Sequence, residues 1–454
     1  MSISLNLSAP TRGLLLALLL SLLGALAALY WLEPIYAKLI GAVIFLVTLW
    51  TNEALPLGAV SLMPIVLFPA LGILETNQTA GNYANSIIFL FLGGFLLAIA
   101  VEKTELHKII ARRLLKIFPV TPRGVIFALA ITSALLSAVL SNTTTALLLL
   151  PLAHYLAEEM RLKMRLVLAI AFGSSVGGIL TPIGTPPNLI LMGFMETHAV
   201  AAPSFVGWMA LTAPLAAVML VVLALVLSIG VNQMSLGYEL SRFNPMDAAQ
   251  KRLLGILGTL AALLFLNSPI DPYYGGLGLD ERSLILFFGL LMFMPGIGFL
   301  KWEDTKKIPY EIIFLFGAGF SLAAAFAATG FDGVIASGLL GFGNLSPFVL
   351  MACVALFVTF ATGIMSNTAL TAMVLPVVYT LSLEAGVDSR LFLMVATIAA
   401  SYAFMLPIST PPNAIALSSG AVRVGQMAAY GTLFNLIGVA LLMATVWLYW
   451  QWVF

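Results

Sequence analysis

The sequence predicts an all-α polytopic membrane protein, with about eleven transmembrane helices and two re-entrant hairpins in two inverted-topology repeats. Three observations carry this reading. The chain has a mean hydropathy of +1.08. It is 61% hydrophobic and 9% charged, against about 25% charged in soluble domains. Apolar runs of about 20 residues recur along it, each long enough to cross ~30 Å of hydrocarbon as a helix. Finally, two polar breaks recur at one offset: Ser141-Asn142-Thr143 returns as Ser366-Asn367-Thr368, and Thr185-Pro186-Pro187-Asn188 as Thr410-Pro411-Pro412-Asn413. Doubled breaks in a membrane-grade chain point to a transporter built from an internal repeat.

Taken in order, the predicted spans are 13–32, 38–52, 55–74, 86–102, 166–195, 208–231, 253–268, 283–299, 309–328, 391–420 and 428–450. The first, Leu14 to Leu32, is too long for a signal peptide and lacks a clean cleavage site, so it is read as a retained span. Thr104 to Phe118 is expected as an amphipathic interfacial helix. Leu106, Ile109, Ile110, Leu114 and Phe118 fall on one side, and Lys108, Arg112 and Lys116 on another. The runs 124–157 and 346–383 are too long for one crossing and too short for two, with Ser-Asn-Thr near the middle of each. A re-entrant hairpin fits both facts, because non-helical backbone at that depth must face protein or a wet cavity.

Charge supports the count. With the N-terminus in the cytoplasm and the C-terminus outside, 17 of the 20 Lys and Arg residues fall inside; only Lys38, Arg282 and Arg390 fall outside. The repeat is broader than its motifs. Ile87 to Phe91 matches Ile312 to Phe316, Gly94 and Phe95 match Gly319 and Phe320, and Pro151 and Pro182 match Pro376 and Pro407. The predicted organisation is a first transmembrane helix (1–35), repeat 1 (36–231), a cytoplasmic linker (232–252) and repeat 2 (253–454). Each repeat holds three helices, a hairpin, a broken helix and a last helix, with the first hairpin entering from the cytoplasmic side. An odd number of spans per half inserts the second copy upside down.

The breaks are the candidate site. Asn and Thr at a helix start offer amide and hydroxyl groups beside free N–H donors and a positive dipole end. Two such tips meeting at mid-membrane would enclose a dianion; the plain alternative is a pair of N-caps. Proline in the Thr-Pro-Pro-Asn copies frees carbonyls near Gly184 and Ser409, which beside hydroxyls make hard-oxygen ligands for Na⁺. Ser137 and Thr362, one turn before each tip, would add hydroxyls. Val125 to Ala157, Leu166 to Met195, Gly333 to Leu383 and Leu391 to Val422 contain no Asp, Glu, Lys or Arg. A dianion held there needs positive charge from co-bound cations, so Na⁺ coupling is expected.

Other residues have plain readings. Cys353, the sole cysteine, is expected to be small, apolar and buried. Glu53 is read as a turn cap, His107 and His198 as loop residues, and His154 as lying near the cytoplasmic end. The seven Trp residues (Trp31, Trp50, Trp208, Trp302, Trp447, Trp450 and Trp452) are read as interfacial anchors. No spacing suggests a metal cluster, and the net charge of +1 argues against nucleic acid.

The paired Ser-Asn-Thr tips, Gly184-Thr185-Pro186-Pro187-Asn188, Ser409-Thr410-Pro411-Pro412-Asn413-Ala414, Thr51 to Pro56 and the Ile-Ile-Phe-Leu-Phe stretches resemble the divalent anion/sodium symporters. The resemblance covers essentially the whole chain. It implies a homodimer in which a transport part slides like an elevator against a scaffold. The transport part would hold both hairpins, both broken spans and spans six and eleven. By motif position, the substrate would meet Ser141, Asn142, Thr143, Thr185, Ser366, Asn367, Thr368, Thr410 and Pro411. One Na⁺ would sit among Ser137, Ser141, Asn142 and Gly184, and a second among Thr362, Met365, Asn367 and Ser409.

The expected function is import of a C4-dicarboxylate (succinate, malate or fumarate) with two or more Na⁺ across a cell inner membrane. A dicarboxylate exchanger and a citrate or sulfate carrier of the same fold stay open. An ion channel would call for a ring of like residues about an oligomer axis, and an enzyme for paired carboxylates or a nucleophile–base pair.

Overall fold

The computed structural model describes residues 8–231, 236, 245–269, 273–331, 333–334, 345–407 and 409–454, the side chains of Ala111, Arg112 and Leu115 excepted. Most of the linker 232–252, including Arg242, lies outside them, as do residues 335–344 and Ile408. No β-strand forms among the described residues.

The first part comprises α1 (Ala9–Trp31), α2 (Pro34–Asn52), α3 (Leu57–Leu62), α4 (Pro64–Leu71), α5 (Thr76–Gly81) and α6 (Ser86–Lys103). Pro64 cannot continue the hydrogen-bond ladder of α3, so the predicted span 55–74 is two short helices meeting at Met63. The interfacial helix forms as α7 (Leu106–Ile117), with Leu106 buried and Lys108, Arg113 and Lys116 exposed.

Next come α8 (Pro122–Ser137), α9 (Asn142–Leu156), α10 (Met160–Gly178), α11 (Pro186–Thr197) and α12 (Phe205–Leu227). The second half follows as α13 (Ala248–Asn267), α14 (Glu281–Leu291), α15 (Tyr310–Thr329), α16 (Pro347–Ala361), α17 (Asn367–Glu384), α18 (Ser389–Ser401), α19 (Pro411–Ser418) and α20 (Val424–Leu448). Helix α13 starts earlier than expected, because Asp247 and Gln250 form a capping box that claims the end of the linker. Helix α14 is shorter than the span 283–299. The chain turns back after Leu291, with the Phe299 and Leu300 N–H groups both on Met292 O and Gly296 at φ 78°.

Among the described residues, seven helices are long and apolar enough to cross a membrane alone. Both predicted hairpins are present as helix pairs, α8–α9 and α16–α17, and both predicted broken spans as half-helix pairs, α10–α11 and α18–α19. Helix starts recur at the motif offset: Pro122 and Pro347, Asn142 and Asn367, Pro186 and Pro411. Packing recurs with them. Helix α8 lies on α10 as α16 lies on α18, while α9 packs on α19 and α11 on α17, each across the two halves. Close approach of α8 and α10 depends on Gly177, where a Cβ would come within 2.2 Å of Ala134 O.

The buried apolar residues form two clusters. The smaller joins α1 to α4 with one face of α15 and Ala369 of α17, and the larger unites the other face of α15 with α6 to α14 and α16 to α20. Several plain readings change here. Cys353 is exposed rather than buried, on a face of α16 that packs on no other described helix, and an apolar thiol in a membrane-grade chain gains little from burial. His107 is a buried residue of α7. Trp50, Trp208 and Trp450 are buried, so only Trp31, Trp302, Trp447 and Trp452 have the exposure an interfacial anchor needs. The indole N–H of Trp208 donates to Ile179 O at 2.9 Å, and that of Trp450 to Leu211 O at 3.0 Å. A buried indole needs such a partner, and the carbonyl that supplies it fixes the ring inside.

Candidate functional site: a cavity between two helix-hairpin tips and two broken helices

Both breaks have one local cause. A residue before proline is pushed out of the helical region, and Thr185 (φ −145°, ψ 145°) and Thr410 (φ −144°, ψ 147°) take nearly the same extended geometry. Two prolines then open each following half-helix, where their missing N–H groups cost nothing. Hydroxyls tie each break to its hairpin: Thr181 Oγ1 donates to Ala138 O at 2.5 Å, and Ser409 Oγ to Gly363 O at 3.1 Å. Positions 138 and 363 are again related by the motif offset.

The tips differ in chemistry. Ser141 caps α9, its Oγ accepting from Thr144 N at 3.1 Å, whereas Ser366 makes no cap hydrogen bond on α17. The pair of N-caps considered from the sequence is therefore present on one side only. Asn142 Oδ1 accepts from Ser137 Oγ, and Asn367 Oδ1 from Thr368 Oγ1 at 3.1 Å.

These four segments form one wall of a cavity of about 740 Å³. All nine residues expected to meet substrate line it: Ser141, Asn142, Thr143, Thr185, Ser366, Asn367, Thr368, Thr410 and Pro411. Gly184, Met365 and Ser409 line it as well. Ser137 and Thr362 lie behind the lining, fully buried, and the Thr362 hydroxyl donates to Ala400 O at 2.9 Å. Gly178 brings the first group together, since a Cβ there would sit 2.9 Å from Asn142 Oδ1 and 3.1 Å from Thr185 Cβ. Thr185 Oγ1 and Thr410 Oγ1 are buried with no hydrogen-bond partner among the described residues, so each has a lone pair to offer a ligand. Oxygen donors of this kind suit an alkali cation, and the amide and hydroxyl donors suit carboxylate oxygens.

Sequence reasoning missed the opposite wall. Trp50, Leu57, Phe91, Phe95, Ile312 and Leu315 present an apolar face to the tips. The charged lining residues are Glu53, Glu102 and Lys307, and the last two form an ion pair at 2.6 Å. Glu53 does end α2 as a left-handed cap at φ 51°, as read, but it also borders the cavity. No sequence signal marks the apolar wall, because those residue types are ordinary throughout a membrane protein.

A polytopic helical chain with a polar, break-lined cavity of this kind is a membrane transporter. The protein belongs to the citrate-transporter family of divalent anion/sodium symporters, whose family model matches residues 42–388 and 281–454. Similar proteins include the sodium-dependent dicarboxylate transporter SdcS of Staphylococcus aureus, 32% identical over 96% of this chain and 91% of that protein. The SdcS protein of Staphylococcus saprophyticus is 30% identical over 89% of this chain and 84% of its own length. Among solved structures, the YdaH transporter of Alcanivorax borkumensis matches with a TM-score of 0.56 at 15% identity, covering 82% of this chain and 88% of that one, a likeness of fold. The chain is accordingly an integral membrane carrier and not an enzyme.

Proposed function

We propose that the protein imports C4-dicarboxylates such as succinate, malate or fumarate together with two or more Na⁺. The observation that carries this reading is the cavity lining. Asn142, Thr143, Asn367 and Thr368 bring amide and hydroxyl groups from both hairpin tips, and the lining near them has no basic side chain; Lys307 is already paired with Glu102. A dianion placed there needs cations beside it. Oxygen groups suited to them lie in two places: Ser137, Ser141, Asn142 and Gly184 in the first half, and Thr362, Met365, Asn367 and Ser409 in the second. The names of the relatives, sodium-dependent dicarboxylate transporters, support the same substrate and ion.

In this reading residues 36–231 and 253–454 are inverted repeats following a first helix, 1–35, and joined by the linker 232–252. Hairpins, broken helices, α12 and α20 form the moving part of an elevator, which slides on α1 to α6 and α13 to α15 within a homodimer. Glu102 and Lys307 border the cavity on the side where the Lys and Arg count places the cytoplasm, so the present arrangement is read as open inward.

The test is uptake of labelled succinate into proteoliposomes, with and without a Na⁺ gradient, with malate, citrate and sulfate as competitors. Na⁺-dependent uptake is expected, and Asn142→Ala and Asn367→Ala should each abolish it in folded protein. Undiminished uptake without Na⁺ at any pH near neutrality overturns symport, and wild-type transport by both variants overturns the site. Stronger competition by citrate than by malate would favour a citrate carrier, the reading that the family model's description supports.

A further inference from the structure

We propose that Asn188 and Asn413, the last residues of the two Thr-Pro-Pro-Asn sequences, are positioning residues for cation binding, each acting through the unwound segment it bridges. The inference rests on the Na⁺-coupled reading above and adds two residues to it.

Both side chains are fully buried. Asn188 Nδ2 donates to Gly178 O at 3.0 Å and to Thr181 O at 2.8 Å. Asn413 Nδ2 donates to Ala403 O at 2.8 Å and to Leu406 O at 3.1 Å. The acceptors lie ten and seven residues back in both cases. Each amide thus ties the end of one half-helix and the middle of the break to the start of the next half-helix. The orientation of the amide is fixed by its partners, since turning it over would set one carbonyl against two others.

What the amide holds in place is the first cation group itself. Gly178 abuts Asn142 and Thr185, and a Cβ on Gly184 would come within 2.5 Å of the Gly178 carbonyl. Fixing Gly178 O therefore fixes the Gly184 backbone against Asn142. In the second half Leu406 O accepts from both Asn413 and Ser409 Oγ, the latter at 2.8 Å, which joins the amide to the other group.

The arrangement has a cost that argues for its purpose. Asn188 Oδ1 and Asn413 Oδ1 are buried with no partner among the described residues. A leucine of similar volume would remove that unpaired oxygen, but it would also take the amide donors from Gly178 O and Thr181 O, or from Ala403 O and Leu406 O. The same unpaired oxygen stands twice at equivalent sites, kept beside two donated hydrogen bonds that hold the unwound backbone.

The experiment uses the full chain reconstituted in liposomes, with uptake of succinate measured over a range of Na⁺. Asn188→Leu and Asn413→Leu should each raise the half-saturating Na⁺ by about tenfold, while the succinate KM at saturating Na⁺ stays within about twofold. In detergent, Na⁺ alone should raise the Tm of the wild type, and the leucine variants should lose that shift, measured for each from its own Na⁺-free Tm. Asn→Ser at each position, which keeps one donor, should fall between. Unchanged half-saturating Na⁺ and an unchanged shift in the variants overturn the proposal while leaving Na⁺ coupling intact. Misfolding of both the leucine and the serine variants at both positions assigns the residues to structure and also overturns it. A wild type that shows neither Na⁺-dependent uptake nor a Na⁺-induced shift overturns the coupling reading and this one together.

Discussion

Gly178 lies where one extra methyl group would collide with the side chain that both the substrate and the first cation are proposed to use. A Cβ at this position would fall nearest the Asn142 amide and Thr185 Cβ, at 2.9 and 3.1 Å. A side-chain end can move aside where backbone cannot, so the cost falls on the position of Asn142 more than on the fold. Gly178→Ala is expected to give a monodisperse protein with nearly wild-type Tm and uptake lowered at least ~10-fold, because groups aimed at a small ion tolerate little displacement. Wild-type uptake by this variant would mean that Asn142 is free to move without consequence. The Ser-Asn-Thr and Thr-Pro-Pro-Asn residues were legible in the sequence because polar groups are costly in hydrocarbon and stand out there. Gly178 was not, since a glycine inside a helix shows its role only through what touches it.

At the scale of single elements, α7 shows how a polar group fixes a helix beside the membrane. His107 Nδ1 is 3.1 Å from Val101 O, an acceptor, so this nitrogen carries the proton and Nε2 is buried without a partner among the described residues. Burial is the largest influence on the ring and holds its pKa below the ordinary histidine value of 6.5. The sign follows from proton uptake. Below pH about 6.5 the unfolded chain binds the proton while the folded one resists it, so stability is fully present above that value and is lost as the pH falls. The Tm of the wild type should decline on acidification from neutral pH, and His107→Gln, which keeps a donor for Val101, should flatten that part of the profile. An identical decline in the variant would place the pH sensitivity elsewhere. The amphipathic period of α7 was readable from its charges, whereas the depth of His107 depends on how α6 turns into it through Glu105, which sits at φ 57°.

Across the whole molecule, a set of polar contacts joins the proposed moving and fixed parts. Arg282, at the start of α14, pairs with Glu196 at the end of α11 at 2.6 Å and donates to Ser86 Oγ at 2.6 Å. Beside them, Phe205 N at the start of α12 donates to Glu281 Oε2 at 2.7 Å. The Arg282–Glu196 pair is about one-third exposed on each partner, so its worth is that of a screened pair, about 0–1 kcal/mol. That is enough to bias two states without locking one, since ~1 kcal/mol is roughly fivefold in population. Glu196→Gln should move the ensemble toward the outward-open state by up to about that factor. Distances between spin labels on α2 and α11 would register the change, and an unaltered distribution would exclude these residues as a clamp.

The sequence by itself determined the class of protein, the number and order of the apolar segments, the two hairpins and the two breaks. Each of these depends on local chemistry: hydropathy over a membrane-length window, proline's missing donor, and polar groups where polar groups are expensive. Tertiary structure alone decided which apolar residues face protein. Phe91 and Phe95 wall the cavity and Trp208 is buried against the first break, while Cys353 faces outward. In a soluble protein the contrast between water and core sorts inside from outside along each helix. Here lipid and protein interior are equally apolar, so no periodicity separates the two faces, and only the packing of distant segments assigns them.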